Sequence, residues 1–532
     1  MSTIARHSTT VLLALGAVAA CGRPRVETAP NVYGVVGGAA NSPAVITADE
    51  LRRDLYVFAS DSFGGRLTGT PYAAKAARFL TARLQALGVE AAGDSGYLQR
   101  VPLKRNTLIA SELSVSGGQA PGKLALGTDL LFLSSFGAGA LPRLSADGEL
   151  AFAGYGIQDS TVHRMDFTGL DVAGKTVVLV AGAPPNADSL MRAKYGNIQN
   201  VFMRIGAVIQ RQPAAIILLV HDTTFVVAQP QFARPQFESI DGAQATAYPV
   251  RNYPIVMIGR LSPGSPFLPS DWTTNDKSRQ MPGTRFVARL SERSDTVMTH
   301  NVVGIVRGSD PARRNTYVAY GAHYDHIGIG EPAGANRDSI NNGADDDGSG
   351  SVALLAIARA WAQGPKPPRS ALFVWHIGEE LGLFGSAWFT QHPTVPIDSI
   401  VAQVNADMIG RNHPDSLYVV GPGAAPNGQS RGLGAVLDSV NAHEPKPFVF
   451  NREWDTTTHP ERIYYRSDHY NYAAKGIPIV FLTTGLHPQY HQVTDEAALI
   501  DYAKLSRIGM LMYDVGIELA KRQARPKTMP IQ

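Results

Sequence analysis

From Thr299 onward, short apolar runs alternate with helical stretches, and this alternation narrows the possible folds more than any other feature of the chain. Strand patterns at Thr316–Tyr320, Ala371–His376, Ile400–Val404 and Ile477–Leu482 interleave with helix patterns at Ser351–Gln363, Leu383–Gln391 and Ala498–Leu519. Runs such as Leu372-Phe-Val-Trp and Ile479-Val-Phe-Leu are apolar at every residue. An alternating pattern would leave one face polar; these strands need cover on both faces. Strands of that kind separated by helices predict an α/β fold, a sheet flanked by helices. No internal repeat at solenoid spacing is present.

The chain has 532 residues, enough for two or three domains. Thr47 followed by Asp49 and Glu50 reads as a capped helix start, and Pro71–Leu87 as a helix with Ala74, Ala77, Leu80, Leu84 and Leu87 on one face and Gly88 as its stop. Gly64-Gly-Arg-Leu-Thr-Gly-Thr70 between them reads as a loop. Between about 130 and 295 the character changes. Short β-rich runs dominate, at Gly148–Tyr155, Thr176–Ala181, Ala214–Val220 and Tyr253–Ile258, and only the stretch around Ile198–Gln210 looks helical. The expected organisation is a main domain in two parts, 46–130 and 296–525, interrupted by an inserted β-rich domain over 131–295.

The first residues predict export. Arg6, the apolar run Val11–Ala20 and the small-residue pattern Val18-Ala-Ala-Cys21 fit a bacterial lipoprotein signal over 1–21, with Cys21 as the lipid-bearing residue. A plain signal peptide or a buried apolar segment is the alternative. Residues 22–45 are rich in Pro, Gly, Ala and Asn and read as a tether. The expected location is the cell envelope, as a periplasm-facing or outer-membrane lipoprotein, or otherwise the periplasm or medium. The apolar run is too short for a permanent span, so membrane contact is expected only through the lipid. Cys21 is the only cysteine, which excludes an intramolecular disulfide. A net charge of +3 without a basic, aromatic-interleaved run gives no reason to expect a nucleic-acid partner.

Each strand of the second half runs into a histidine or carboxylate. Tyr317-Val-Ala-Tyr-Gly leads to His323, Leu372-Phe-Val-Trp to Glu379 and Glu380, Val401-Ala-Gln-Val to Asp407, and Ile479-Val-Phe-Leu toward the loop with His491. In open α/β sheets the binding crevice lies outside the carboxyl ends of the strands, so these residues should converge. Two imidazoles and three carboxylates suit a pair of divalent ions. Asp325, two residues after His323, is the expected orienting partner of that ring. A satisfied strand-end histidine is the structural alternative, and His326 is a rival ligand. Asp346, in Ala344-Asp-Asp-Asp-Gly348, sits among carboxylates that repel one another unless a cation is near. A solvated acidic turn is the alternative, and the spacing is not that of an EF-hand. Glu379 and Glu380 point in different directions, so one can bind metal while the other faces substrate; a helix N-terminus favouring negative charge is the alternative. His487 competes with His491.

Two apparent nucleophile motifs read as decoys. Gly93-Asp-Ser-Gly96 lacks the following glycine of a trypsin-like loop, and Ser467-Asp-His469 names triad residue types side by side, whereas triads form by convergence in space.

Taken together, Gly321-Ala-His-Tyr-Asp325, the Asp345–Asp347 run with Gly348-Ser-Gly350, Gly378-Glu-Glu-Leu-Gly382, Asn405-Ala-Asp-Met408 and Tyr490-His-Gln-Val-Thr-Asp495 closely resemble the dizinc aminopeptidases of metallopeptidase family twenty-eight. The resemblance covers about 299–500 and, more weakly, 47–112 through Gly65-Arg-Leu-Thr-Gly-Thr70. Phe152–Ile157, Asp171–Lys175 and Gly206-Ala207 in the inserted region are similar to phrases of a protease-associated domain. The resemblance implies two zinc ions, one held by His323 and Asp407, the other by Glu380 and His491, with Asp346 bridging and a cis Asp346–Asp347 peptide. It further implies Glu379 as general base, Tyr490 as stabiliser of the oxyanion, and peptides with a free N-terminus as substrates. Carboxypeptidase-type cleavage and glutaminyl cyclisation are alternatives on the same fold. A non-catalytic binding protein would require lost ligands, and none is lost.

Overall fold

The first helix, α1 (Ala48–Phe58), is fixed by reciprocal capping: Glu50 N donates to Thr47 Oγ1 at 3.3 Å and Thr47 N donates to Glu50 Oε1 at 2.8 Å. Thr70 caps α2 (Pro71–Ala86), whose proline occupies a position where no N–H is needed. The computed structural model describes residues 45–133, 141–196, 199–232, 236–241, 252–333 and 337–526. The signal segment, Cys21 and residues 22–44 of the tether lie outside them.

After α2 the long strand β1 (Leu98–Ser116) leads into the β-rich region. There β2 (Leu130–Phe132), β3 (Ser145–Phe152), β4 (Thr176–Val180), β5 (Ala215–Val220) and β6 (Ile255–Arg260) lie side by side in the order β3-β4-β5-β6-β2. Their alternate residues build two cores. Val178, Ile217 and Met257 pack with Phe152 and Phe286 on one face; Val177, Ile216 and Val256 pack with Ile205 and Phe225 on the other. The patterns predict one helix here, and the described residues form three α-helices: α3 (Ser189–Tyr195), α4 (Gln199–Ile209) and α5 (Asp222–Phe232). The two extra helices lack the signal that marks one. α3 buries no residue, and α5 carries Thr223, Thr224, Val226 and Pro230, all poor helix formers.

The strand β7 (Arg279–Val306) returns from this region. It pairs with β3 over its first part and with β1 from Arg285 to Val302. Residues 295 and 296 are therefore adjacent in one strand, and a continuous ribbon joins the β-rich region to the strands C-terminal to it.

Those strands are β8 (Tyr317–His323), β9 (Ser370–His376), β10 (Ile400–Ala406), β11 (Ser416–Val420), β12 (Val449–Asn451) and β13 (Ile479–Thr483). They extend the same mixed sheet in the order β12-β11-β13-β10-β8-β9-β7. β8 is parallel to β9 and β10, and β10 is parallel to β13, so these four carboxyl ends share one edge. Helices cover both faces. Leu372 and Val374 pack with Phe389 of α7 (Phe384–Gln391) and Tyr472 of α9 (His469–Ala474). On the other face Tyr320 meets Trp361 of α6 (Gly350–Gln363), and its hydroxyl donates to Met512 O of α10 (Tyr502–Lys521) at 3.3 Å. This is the α/β fold that the apolar strands require. The strands β11 and β12 and the helix α8 (Arg431–His443) between them carry no equally plain signal. Among the described residues no helix is long and apolar enough to cross a membrane.

Candidate metal centre

The shared carboxyl edge brings together residues up to 168 positions apart, from His323 to His491. His323 ends β8, Asp407 follows β10 directly, Glu379 and Glu380 follow β9, and His491 lies in the loop after β13. Asp346 lies in the turn Ala344–Ser349, just before α6, where the backbone of Asp346 and Asp347 is non-helical and the Asp346–Asp347 peptide is cis. Asp346 sits between two clusters. Its Oδ1 lies 3.2 Å from His323 Nε2, which lies 3.6 Å from Asp407 Oδ1. Its Oδ2 lies 3.0 Å from His491 Nε2, which lies 3.0 Å from Glu380 Oε2. Glu379 stands beside the first cluster, with Oε2 3.8 Å from His323 Nε2.

The two rival histidines are both close by, in different ways. His326 belongs to the second cluster, with Nδ1 2.6 Å from Glu380 Oε1 and 3.9 Å from Asp346 Oδ2. His487 lies outside both clusters, with Nε2 3.3 Å from Asp345 Oδ2. Asp325 stands differently from a simple orienting carboxylate. The nearer partner of His323 Nδ1 is the Asp325 carbonyl oxygen at 3.1 Å, and Oδ1 is 3.7 Å away. The carboxylate accepts instead from Glu379 N at 3.2 Å and from Thr68 Oγ1 at 2.7 Å.

The three adjacent aspartates face separate partners. Asp345 Oδ1 accepts from Gly410 N at 2.6 Å, while Asp347 accepts from the N–H groups of His323, Gly350 and Met408. Asp495 Oδ2 accepts from the N–H groups of Asp345 and Asp346 at 2.9 and 3.1 Å and so holds the backbone of Asp346. Met408 and His491 adopt left-handed backbone, with φ of 56° and 55°, a strained conformation for non-glycine residues that gathers at functional sites.

Burial makes this concentration of carboxylates costly. Burial pushes Glu379 well above the usual carboxylate range, and Asp407 and Glu380 push the same way against His323. Burial opposes protonation of His491, yet Glu380 and Asp346 hold it up at about 10. His323 is likewise driven up by Glu379 and Asp407 against the pull of burial. The cluster therefore draws in positive charge. His323 Nε2 and His491 Nε2 are buried without a hydrogen-bond partner among the described residues, each aimed at carboxylate oxygens. That donor set fits a bound divalent cation.

A cleft lined by Met408, Trp454, Ile463, Phe481, Leu486 and Tyr490 opens onto Asp346, Glu379 and Asp407. Burial raises the Tyr490 phenol, so it stays protonated, and Arg466 Nη2 donates to its oxygen at 3.2 Å. A roomier groove around Asp94, Arg100, Trp388 and His392 contains none of these groups. Neither decoy motif forms a triad: Asp468 faces His376 Nδ1 at 3.3 Å, Ser467 Oγ accepts from Asn405 at 3.0 Å, and His469 stacks on Phe481. In Gly93-Asp-Ser-Gly96, Ser95 pairs with Leu98 in a turn.

The chain is similar to known peptidases in sequence and fold. The model of peptidase family M28 matches residues 301–516, the stretch that holds every residue of the two clusters. Leucine aminopeptidase 1 of Arthroderma gypseum is 26% identical over 249 residues, 44% of this chain and 62% of that protein. A probable leucine aminopeptidase of Arthroderma benhamiae is 27% identical over 224 residues, 40% of this chain and 57% of the other. The chain thus spans about three-fifths of the curated relatives it matches. Two solved structures share the fold, each with a TM-score of 0.53 at 17% identity: an aminopeptidase from Aneurinibacillus sp. strain AM-1, over 92% of this chain and 98% of that one, and a zinc aminopeptidase from Bacillus subtilis, over 91% and 98%. The matched segment, 301–516, thus belongs to peptidase family M28.

Proposed function

We propose that the chain is a zinc-dependent aminopeptidase that hydrolyses N-terminal residues from peptides. The observation that carries this reading is the division of Asp346, one oxygen toward His323 and Asp407, the other toward His491 and Glu380. In this reading His323 and Asp407 hold one zinc, His491 and Glu380 the other, and Asp346 both. Zinc bound there supplies Lewis acidity and lowers the pKa of water to about 7.

The chain's own groups then divide the remaining work. Glu379, standing beside the first cluster, takes a proton from the attacking water and returns it to the leaving amine. Tyr490, kept protonated, donates to the developing oxyanion. The acidic edge at Asp407 receives the substrate's free amine, which limits cleavage to the N-terminal residue. The leucine aminopeptidases among the relatives and the zinc aminopeptidase among the fold neighbours support this choice over carboxypeptidase or cyclase chemistry. The 131–295 region belongs to the proposal as an inserted protease-associated-like domain, and so does the exported form anchored through Cys21.

Aminoacyl-arylamide hydrolysis by purified protein tests the reading. Wild-type protein should release the arylamine, lose activity on chelation and regain it with zinc. Glu379→Gln should keep its zinc and lose nearly all turnover, by about 100-fold or more. Near-normal rates in that variant would sink the mechanism, and one zinc per chain would favour the cyclase alternative.

A further inference from the structure

His326 lies in the second cluster with no part in the mechanism above. Its ring is fully buried, stands edge-on to His491 at 5.6 Å between centroids, and packs against Gly343. A Cβ on Gly343 would meet the ring's Cδ2 at 2.4 Å, so the ring has no room to turn toward that side. The loop itself is tied down through Arg66, whose carbonyl accepts from His326 N at 3.4 Å and whose guanidinium donates to Gly343 O at 2.8 Å.

The distance from Nδ1 to Glu380 Oε1, 2.6 Å, decides what the ring does. Two ligands of one tetrahedral zinc, bonded at 2.0–2.1 Å, stand about 3.3 Å apart. A separation of 2.6 Å is instead that of a short hydrogen bond to a carboxylate. With Nδ1 as donor, Nε2 is the unprotonated nitrogen, and it accordingly needs no acceptor in its buried position, where none is found among the described residues.

We propose that His326 is a positioning residue for Glu380: Nδ1–H engages Oε1 and leaves only Oε2 to face His491 and Asp346, so that Glu380 offers a single oxygen to the ion on that side. The inference rests on the two-ion reading above. It gives the two histidines of His323-Tyr-Asp-His326 different tasks at different ends of the Asp346 bridge.

The test is zinc affinity, read by competition with a chromophoric chelator, together with the number of imidazole ligands read by X-ray absorption. His326→Leu and His326→Ser both remove the donor, one keeping bulk and one leaving space, so either suffices if the other fails to fold. Each should weaken one of the two ions by about 10–100-fold, leave the other unchanged, and keep the imidazole count of the wild type. His326→Asn, whose amide nitrogen takes the place of Nδ1, should restore wild-type affinity. Wild-type affinity at both ions in the leucine and serine variants would overturn the proposal, and so would a lost imidazole, which would make His326 a ligand. Fewer than two ions in the wild-type chain would overturn the two-ion reading itself, a result visible before any variant is made.

Discussion

His469 shows how little a residue type says without its surroundings. In sequence it completes Ser-Asp-His; in the fold it is fully buried and stacked on Phe481, with centroids 4.6 Å apart. Burial lowers its pKa from 6.5 to about 3. The unfolded chain therefore takes up a proton as pH falls below 6.5 while the folded chain does not. That difference drains stability from pH 6.5 down to about 3, and none of it is lost above pH 6.5. Between pH 7 and 5 the loss from this one group is about 2 kcal/mol. His469→Phe keeps the ring stack and removes the titration. Its stability should fall less than that of the wild type over the same interval, as measured by denaturant unfolding at each pH; equal falls would show that His469 is not the group responsible. His323, Glu380 and Asp407 stood out as ligand candidates because each follows an apolar strand closely, whereas Asp346 was marked by its run of three carboxylates and His491 only by the loop beyond its strand. Thr68, Asp495 and the packing of His326 were not legible, since each acts through a partner that no local pattern names. Thr68 meets Asp325 across 257 positions.

At the scale of elements, the loop Gly65–Thr70 is legible as a loop and illegible as a clamp. Arg66 is fully buried and donates to four backbone carbonyls: Tyr324 at 2.8 Å, Phe58 at 3.3 Å, Asn342 at 2.6 Å and Gly343 at 2.8 Å. The two loops that present His326 and Asp346 are thereby fastened to α1 and to each other. A guanidinium is the one side chain whose planar fork reaches several acceptors in fixed directions. Arg66→Lys keeps the charge and loses the fork. At about 1.5–3 kcal/mol for each hydrogen bond to a charged group, losing two of them should cost about 3 kcal/mol or more. The same variant should bind zinc more weakly, because the loops it ties carry Asp346, the proposed shared ligand, and His326, proposed to position Glu380. Chemical denaturation and zinc titration of R66K check both parts, and full stability with wild-type zinc binding would show the clamp to be redundant. The α3 and α5 helices teach the same lesson from the other side: their hydrophobic pattern is too weak to announce them, and neighbouring structure holds them in place.

Among the described residues, the candidate metal-binding groups lie at the carboxyl edge of the strands from Tyr317 onward, apart from the packing of the β-rich region. Residues of β3 to β6 pack on Phe152, Phe286 and Phe225, whereas Leu372, Val374 and Phe389 belong to a core under the carboxyl edge, and the β1–β7 ribbon connects the regions through backbone pairing. The sequence announced the change in character near residue 130 but not the ribbon, because a long strand shared by two regions looks the same in sequence as two shorter ones. Zinc bound to the folded site stabilises what it touches by about 2.7 kcal/mol per ion at a free concentration one hundred times its Kd. Since each region has its own core, calorimetry of the full chain should resolve two transitions. Added zinc should raise the transition of the region with Asp346, and chelation should lower it, while the β-rich region melts at an unchanged temperature. A single transition displaced as a whole would mean that the ribbon transmits zinc's stabilisation across the sheet, and a melt indifferent to zinc would remove the thermodynamic ground for the metal site.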